Sequence, residues 1–357
     1  MENLTLKGIM EYAVENRASD IHITVGKPVV LRVDGELIET DSKIMKGKDV
    51  EELAYPLFRD NARLSEEFDK NGEIDFACSL ESEGRFRVNV FHQRGAIAMV
   101  MRLLPLTIPT PEELGLPECV KEFCNLKRGL VLVTGATGAG KSTTLASMIN
   151  LINKTYKKHI ITLEDPIEYL HTHDKSIVNQ RELGNDTVTY ANALRAALRQ
   201  DPDVILVGEM RDLDTISTAI TAAETGHLVF STLHTNNAPA TIDRIVDVFP
   251  PHQQQQIRVQ LAGVLEGVIS QQLIHEDKEE GRVAAFEVMI ANPAIRNLIR
   301  ENKTFQIVSQ IQTNKKMGMQ TMDDALFDLY MKGKINANDC LQFAQDLAAM
   351  TRRLSMI

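Results

Sequence analysis

Residues 131 to 145 read Val-Leu-Val-Thr-Gly-Ala-Thr-Gly-Ala-Gly-Lys-Ser-Thr-Thr-Leu. Gly135, four residues, Gly140, Lys141 and Ser142 have the spacing of a P-loop. An apolar run, Leu130 to Val133, leads into it, and a helix-like pattern follows. The chemistry this implies is phosphate binding. Gly135, Gly138 and Gly140 let the backbone curl so that N–H groups point at phosphate oxygens. Ala136, Thr137, Ala139 and Thr143 complete the loop and the first helical turn. The helix N-terminus adds a positive dipole end. Lys141 can reach the outer phosphates of a bound nucleotide, and the Ser142 hydroxyl can hold Mg²⁺.

Hydrolysis of a nucleoside triphosphate also needs an activated water and groups that stabilise charge in the transition state. Two buried-type strands end in carboxylates. His159 to Leu163 runs into Glu164-Asp165, and Val204 to Val207 runs into Gly208-Glu209. The latter resembles a Walker B strand with Glu where Asp is commoner. In open parallel sheets ligands sit beyond the carboxyl ends of strands, which puts both acids beside the loop. Glu164 is expected to act as general base, and Glu209 to orient Mg²⁺ or its waters. A further strand pattern follows Gly226 and ends near His234-Thr235. His234 could sense the γ-phosphate and His227 begins the same strand; each taken alone is more often a structural histidine. His171-Thr172-His173 has no companion ligands, so no metal is expected there.

These residues need elements to hold them. An amphipathic helix is expected over 3 to 16, then a strand at Asp20 to Thr24. Asp34-Gly35 marks a hairpin between Val29–Val33 and Glu36–Ile38. Two short helices fill 48 to 69, and strands follow at 73–79, 85–91 and 96–104. Period two places Phe86, Val88 and Val90 on one face of their strand, with Arg85 and Arg87 opposite. Arg102 likewise faces away from Ile97, Met99, Met101 and Leu103. Such a face is either solvated or aimed at a neighbour's phosphates. Four prolines between 105 and 117 stiffen a linker, and a second domain opens near Glu118. From there strand and helix alternate, as in a parallel sheet covered by helices. The last third, from about 252 to 357, is expected to be helical: 252–274, 293–301, 304–313, 321–331 and 336–350. Asn292 is the N-cap and Pro293 the first residue of the second of these.

Composition narrows the partners. Lys plus Arg number 39 and Asp plus Glu 49, a net charge of −10. That excludes a general polyanion binder, so nucleic acid is not the expected partner. The four cysteines lack paired spacing and read as reduced thiols of a cytoplasmic protein. No basic leader opens the chain, and no apolar run approaches the roughly 20 residues of a membrane helix. Membrane association is therefore expected only through a partner.

Taken together, these segments resemble the secretion-type ATPase family, whose members power type II secretion, type IV pili and related machines. The resemblance rests on the P-loop at 135–142 and on Ile161-Thr162-Leu163-Glu164-Asp165-Pro166-Ile167-Glu168-Tyr169, similar to the family's Asp box. It rests also on Leu198-Arg199-Gln200-Asp201-Pro202-Asp203 leading into Gly208-Glu209-Met210-Arg211-Asp212, and on the His box from Thr225 to Ala238. Ala18 to Ile23 is similar to the family's opening strand. Ala294-Ile295-Arg296-Asn297-Leu298-Ile299-Arg300-Glu301 looks like a C-terminal motif associated with pilus retraction, which singles out Arg296 and Arg300. A short N-terminal region and no four-cysteine module also favour the retraction branch over pilus-extension or secretion ATPases. A nucleic-acid translocase on the same core is the remote alternative.

The resemblance implies an α/β fold: a RecA-like P-loop NTPase core, a PAS-like α+β domain at 1–104, and a helical C-terminal region. It implies a homohexamer, with ATP and Mg²⁺ as ligands and an inner-membrane pilus platform protein as partner. It implies that arginines of the N-terminal domain approach a neighbour's nucleotide, with Arg87 and Arg102 carried over and Arg85 and Arg94 as rivals. Work would then come from motion of one domain against the other about the proline-rich linker.

Overall fold

The computed structural model describes residues 5–80, 84–104, 107–277 and 281–356. The first residues of the expected opening helix, and Pro105 and Leu106 of the expected linker, lie outside the described residues. Contacts divide the chain into two units: residues up to Thr107 with Pro166–Leu170, and Ile108–Asp165 with His171 onward. Residues 107 to 117 contain no helix or strand, as their prolines dictate.

The first unit is α1 (Leu6–Glu15), β1 (Asp20–Ile23), β2 (Val30–Val33), β3 (Glu36–Glu39), α2 (Gly47–Ala54), α3 (Ala62–Asn71), β4 (Glu73–Leu80), β5 (Gly84–Gln93) and β6 (Ala96–Leu104). The strands form one antiparallel sheet in the order β3-β2-β1-β6-β5-β4. Asp34 and Gly35, and again Arg94 and Gly95, take positive φ in pairs, the backbone a two-residue hairpin requires. Ile9, Met10 and Ala13 of α1 pack on Ile21, Phe86, Val88, Met99 and Met101. Period two then turns Arg87 and Arg102 to the opposite face.

In the second unit, α4 (Glu118–Glu122) precedes β7 (Gly129–Thr134), α5 (Lys141–Thr155), β8 (His159–Glu164), β9 (Ile177–Glu182), α6 (Tyr190–Ala197), β10 (Val204–Val207), α7 (Leu213–Glu224) and β11 (Leu228–Leu233). Then come α8 (Ala238–Asp247), α9 (Pro251–Val264), β12 (Leu265–His275), β13 (Arg282–Ile290), α10 (Pro293–Arg300), α11 (Ile307–Thr313), α12 (Met322–Met331), α13 (Ala337–Phe343) and α14 (Leu347–Leu354). The sheet order is β13-β12-β7-β11-β10-β8-β9, parallel except for β12 with β13. Every residue of β7, β10 and β11 is buried, as strands covered on both faces must be.

Two expectations fail. The helix expected over 252–274 stops at Val264, and Leu265 to His275 is strand β12. The β-branched pair Val268-Ile269 favours the strand, and Gly267 disfavours continuing the helix. A Cβ at Gly267 would lie 2.2 Å from the Phe123 ring, so only glycine fits. The hairpin partner β13 lies where the sequence pattern names no element, so two strands interrupt the expected helical region between α9 and α10. Strand β9 has no counterpart in the sequence reading either. Of its six residues only Val178 and Glu182 are buried, so no apolar alternation marks it.

Glu287 of β13 is fully buried, and burial pushes its carboxyl up to about 7 against two backbone N–H donors, Ala238 and Met322; Asp323 adds to the rise. An unfolded glutamate ionises near 4.5. Between pH 4.5 and 7 the unfolded chain therefore sheds this proton while the folded chain keeps it. Stability falls over that window by about 3 kcal/mol for a shift of this size. Measured relative to pH 5, the thermal midpoint at pH 8 is expected to be higher in Glu287→Gln than in the native protein; an unchanged difference would contradict the assignment.

Candidate functional site

The loop between β7 and α5 is built around its glycines. Gly135, Gly138 and Gly140 have φ of 149°, 79° and 85°. A Cβ at Gly135 would sit 2.4 Å from the carbonyl oxygen of Gln271, and one at Gly140 would sit 2.9 Å from Gln271 Nε2. Strand β12 thus forms the floor of the loop. Thr144 Oγ1 donates to Gln271 Oε1 at 2.7 Å, anchoring the first turn of α5 to the same side chain. Lys141 is buried, and its ammonium donates to the carbonyls of Gly135 at 2.9 Å and Ala136 at 3.0 Å. Ser142 is exposed at the start of α5.

The carboxyl ends of three neighbouring strands carry the other groups. Glu209 follows β10, and its Oε1 accepts from Arg211 Nε at 2.6 Å and meets His234 Nε2 at 3.1 Å. Burial works to raise the Glu209 pKa, but the Arg211 hydrogen bond and charge, with the hydrogen bond from His234, outweigh it and hold it below its usual value. The other ring nitrogen of His234, Nδ1, lies 3.4 Å from Lys141 Nζ. An ammonium has no lone pair, so Nδ1 accepts there and Nε2 carries the hydrogen given to Glu209. His234 therefore bridges the P-loop lysine and the strand-end acid.

Glu164 closes β8, and its Oε1 accepts from Gln180 Nε2 of β9 at 3.1 Å. Gln180 Oε1 in turn accepts the backbone N–H of His171 at 2.7 Å. Tyr190 opens α6 near both acids. Burial first, then the charges of Asp165, Glu164 and Glu209, push its phenol well above the usual tyrosine range. A Cβ at Gly208 would lie 2.8 Å from the Tyr190 hydroxyl oxygen, which accounts for the glycine before Glu209.

The remaining predicted residues lie elsewhere. His227 precedes β11, and its Nδ1 meets the Ala222 carbonyl at 2.9 Å. Its own carbonyl accepts from Gly129 N, at the amino end of β7. It sits at the end of the sheet opposite the P-loop. Arg296 donates to the carbonyls of Ala262 at 2.8 Å and Gly263 at 3.1 Å and pairs with Glu266 at 3.0 Å. It closes the last turn of α9, whose final carbonyls lack helical partners. Ile295 and Ile299 anchor α10 in the core, and Arg300 contacts Asn297 at 3.5 Å.

Within the first unit, Arg87 and Arg102 are direct cross-strand neighbours. Like charges so placed repel. Arg102 Nε donates to Asp20 Oδ1 at 2.9 Å, and Arg87 lies 3.8 Å from Asp75. Burial works to raise the Asp20 pKa, and the hydrogen bonds from Arg102 and Ser19 with the Arg102 charge bring it below its usual value. Arg85 donates to the Ile167 carbonyl at 3.1 Å. Arg94 is held in a hairpin turn.

Sequence reasoning misses Gln180, Tyr190, Arg211 and Gln271 as site residues. Arg211 stands in the Gly-Glu-Met-Arg segment, two residues from Glu209, and that proximity is its signal. Gln180 and Gln271 lie on β9 and β12, strands that the local pattern does not reveal, so nothing nearby marks them. Among the described residues no cluster of His, Cys, Asp and Glu could hold a metal by itself, and no helix is long and apolar enough to cross a membrane.

Residues 1–341 match the family model described as Type II/IV secretion system protein. The chain is 48% identical over 337 residues to the type IV pilus retraction ATPase PilT of Pseudomonas aeruginosa, covering 94% of this chain and 97% of that one. It is 47% identical to a twitching motility protein of Neisseria gonorrhoeae, covering 95% of this chain and 90% of that one. Among solved structures it is similar to the pilus retraction motor PilT with bound ADP, with a TM-score of 0.92, 50% identity, and coverage of 98% and 100% of the two chains.

Proposed function

We propose, from the premise that the chain belongs to the type II/IV secretion system protein family, that it is an ATPase motor driving type IV pilus retraction and twitching motility. Its similarity along nearly the whole chain to a pilus-retraction ATPase carries this reading. The P-loop, Lys141, Glu164, Glu209 and His234 supply the groups the chemistry needs.

ATP would lie with its phosphates against the N–H groups of residues 136–143. Lys141 would then exchange the Gly135 and Ala136 carbonyls it now holds for the outer phosphates. Glu164, oriented by Gln180, accepts the proton of the water that attacks the γ-phosphorus as the bond to ADP breaks. His234 keeps Lys141 and Glu209 in one hydrogen-bonded row. The exposed Ser142 hydroxyl and the ionised Glu209 suit a hard cation with water ligands, and Mg²⁺ bound there would neutralise phosphate charge.

The chain acts as a homohexamer, in which Arg87 and Arg102 of one subunit stabilise transition-state charge in the next. Two cross-strand arginines facing away from their own core support this arrangement. The protein works in the cytoplasm, held at the inner membrane by the pilus platform protein.

Deleting the gene in a piliated host is the direct test. A retraction motor leaves cells with excess surface pili and no twitching, both restored by the intact gene. Bald cells would instead identify an extension ATPase and reject the proposal.

A further inference from the structure

Glu287 has no part in the hydrolysis scheme above, yet it is among the most buried ionisable groups of the second unit, at 1% exposure. It lies within β13, and its two carboxyl oxygens serve two helices. Oε1 accepts the N–H of Ala238, the first residue of α8, at 2.8 Å. Oε2 accepts the N–H of Met322, the first residue of α12, at 3.4 Å. Both donors belong to fully buried residues, so without Glu287 each would lose its partner in a dry site. The helices' own caps do not substitute. Asn237 serves the N–H of Ala240, and Thr321 serves that of Asp324.

The segment that α8 terminates is the one that carries His234. From the end of β11 the chain passes through His234, Thr235, Asn236 and Asn237 directly into Ala238. The C-terminal helices grip the same segment a second time: Gln345 Nε2 donates to the Asn236 carbonyl at 3.2 Å. Gln345 and Asp346 are themselves held to α12 by the Asp323 carboxylate, at 2.7 and 3.0 Å. On its strand Glu287 faces Ser270 of β12, whose hydroxyl accepts from Thr134, the residue before Gly135. One buried carboxyl therefore stands where the P-loop entrance, the His234 segment and the C-terminal helices meet.

We infer that Glu287 is a positioning residue for ATP hydrolysis that acts through His234: it fixes the start of α8, and with it the reach of His234 to Lys141 and Glu209, and it makes that reach depend on the seating of α12 to α14. The inference rests on the ATPase reading of the site. Glutamine at 287 offers one acceptor oxygen for two N–H groups, so one helix start loses its partner while side-chain volume is kept.

The test is a double-mutant cycle on the full-length protein, with Glu287→Gln and His234→Ala alone and combined, reading kcat and KM for ATP, ADP affinity and thermal midpoint. In the native background Glu287→Gln is expected to lower kcat about tenfold, a loss typical of one misplaced catalytic group. KM and ADP affinity should stay within about twofold, since the P-loop is intact. In the His234→Ala background the same substitution should change kcat by less than about twofold, because the group it acts through is gone. An unchanged kcat in Glu287→Gln, equal losses in both backgrounds, or a native kcat in His234→Ala would each overturn the inference. A native protein that fails to hydrolyse ATP would instead defeat the ATPase reading, and the cycle would have nothing to measure.

Discussion

Glu164→Gln is expected to lower ATP turnover by about 10²- to 10⁴-fold, the range for removing a positioned general base, while ADP binds as before. Glutamine keeps the size of glutamate and can still bond to Gln180 after an amide flip, so the end of β8 holds its shape. It cannot accept the proton of the attacking water. On the proposed scheme phosphate binding belongs to other atoms, the loop N–H groups and Lys141, whose ammonium is positioned by the Gly135 and Ala136 carbonyls. The two effects should therefore separate: kcat falls and KM stays near its native value. Steady-state hydrolysis with ADP titration reads both. Turnover within about threefold of native would remove Glu164 as base, and Glu209 would be the next candidate. A parallel loss of ADP affinity would mean that the strand end, not the base, had been damaged.

What the sequence makes legible follows from how local each signal is. The P-loop is legible because its geometry is written in consecutive residues, with three glycines at positive φ and a lysine at the start of α5. Glu164 and Glu209 are legible because a buried parallel strand has one functional end, and an acid at that end is conspicuous. The support beneath them is not. Gln271 meets Gly135 and Gly140 across more than a hundred residues of chain, and Gln180 reaches Glu164 from an edge strand with little apolar content. Pairing across a sheet leaves no trace in either segment alone. Residues 265–275 illustrate the other difficulty, because a short apolar run after a helix fits either a continuation or a strand. Pairing with β7 on one side and β13 on the other decides for strand, and those partners are visible only in three dimensions. His227 and His234 show why a motif does not fix a role. Both lie in one segment, yet they fall at opposite ends of β11, and of the two it is His234 that meets Lys141.

Gly135→Ala is expected to abolish useful nucleotide binding through backbone geometry alone. At φ 149° an L-residue is strained, at a cost of about 1–3 kcal/mol. The new methyl would also meet a backbone oxygen, Gln271 O at 2.4 Å, and Ala139 Cβ at 3.1 Å. Neither a sheet carbonyl nor a P-loop Cβ can swing aside as the end of a long side chain does. Overpacking of this kind adds about 1–3 kcal/mol. The loop can escape only by lifting off β12, and that turns its N–H groups away from the phosphates. ADP affinity should fall by about 100-fold or more, which is roughly 2.7 kcal/mol. Gly138→Ala is the control that isolates the cause. Its φ of 79° is also positive and strains alanine, but nothing lies within 4 Å of the added carbon. That variant bears only the backbone strain, so its affinity should fall about tenfold. Titration calorimetry with ADP on both proteins, with circular dichroism to confirm that each is folded, makes the comparison. Equal losses at the two positions would show that strain dominates and that the Gln271 carbonyl is not what requires glycine at 135.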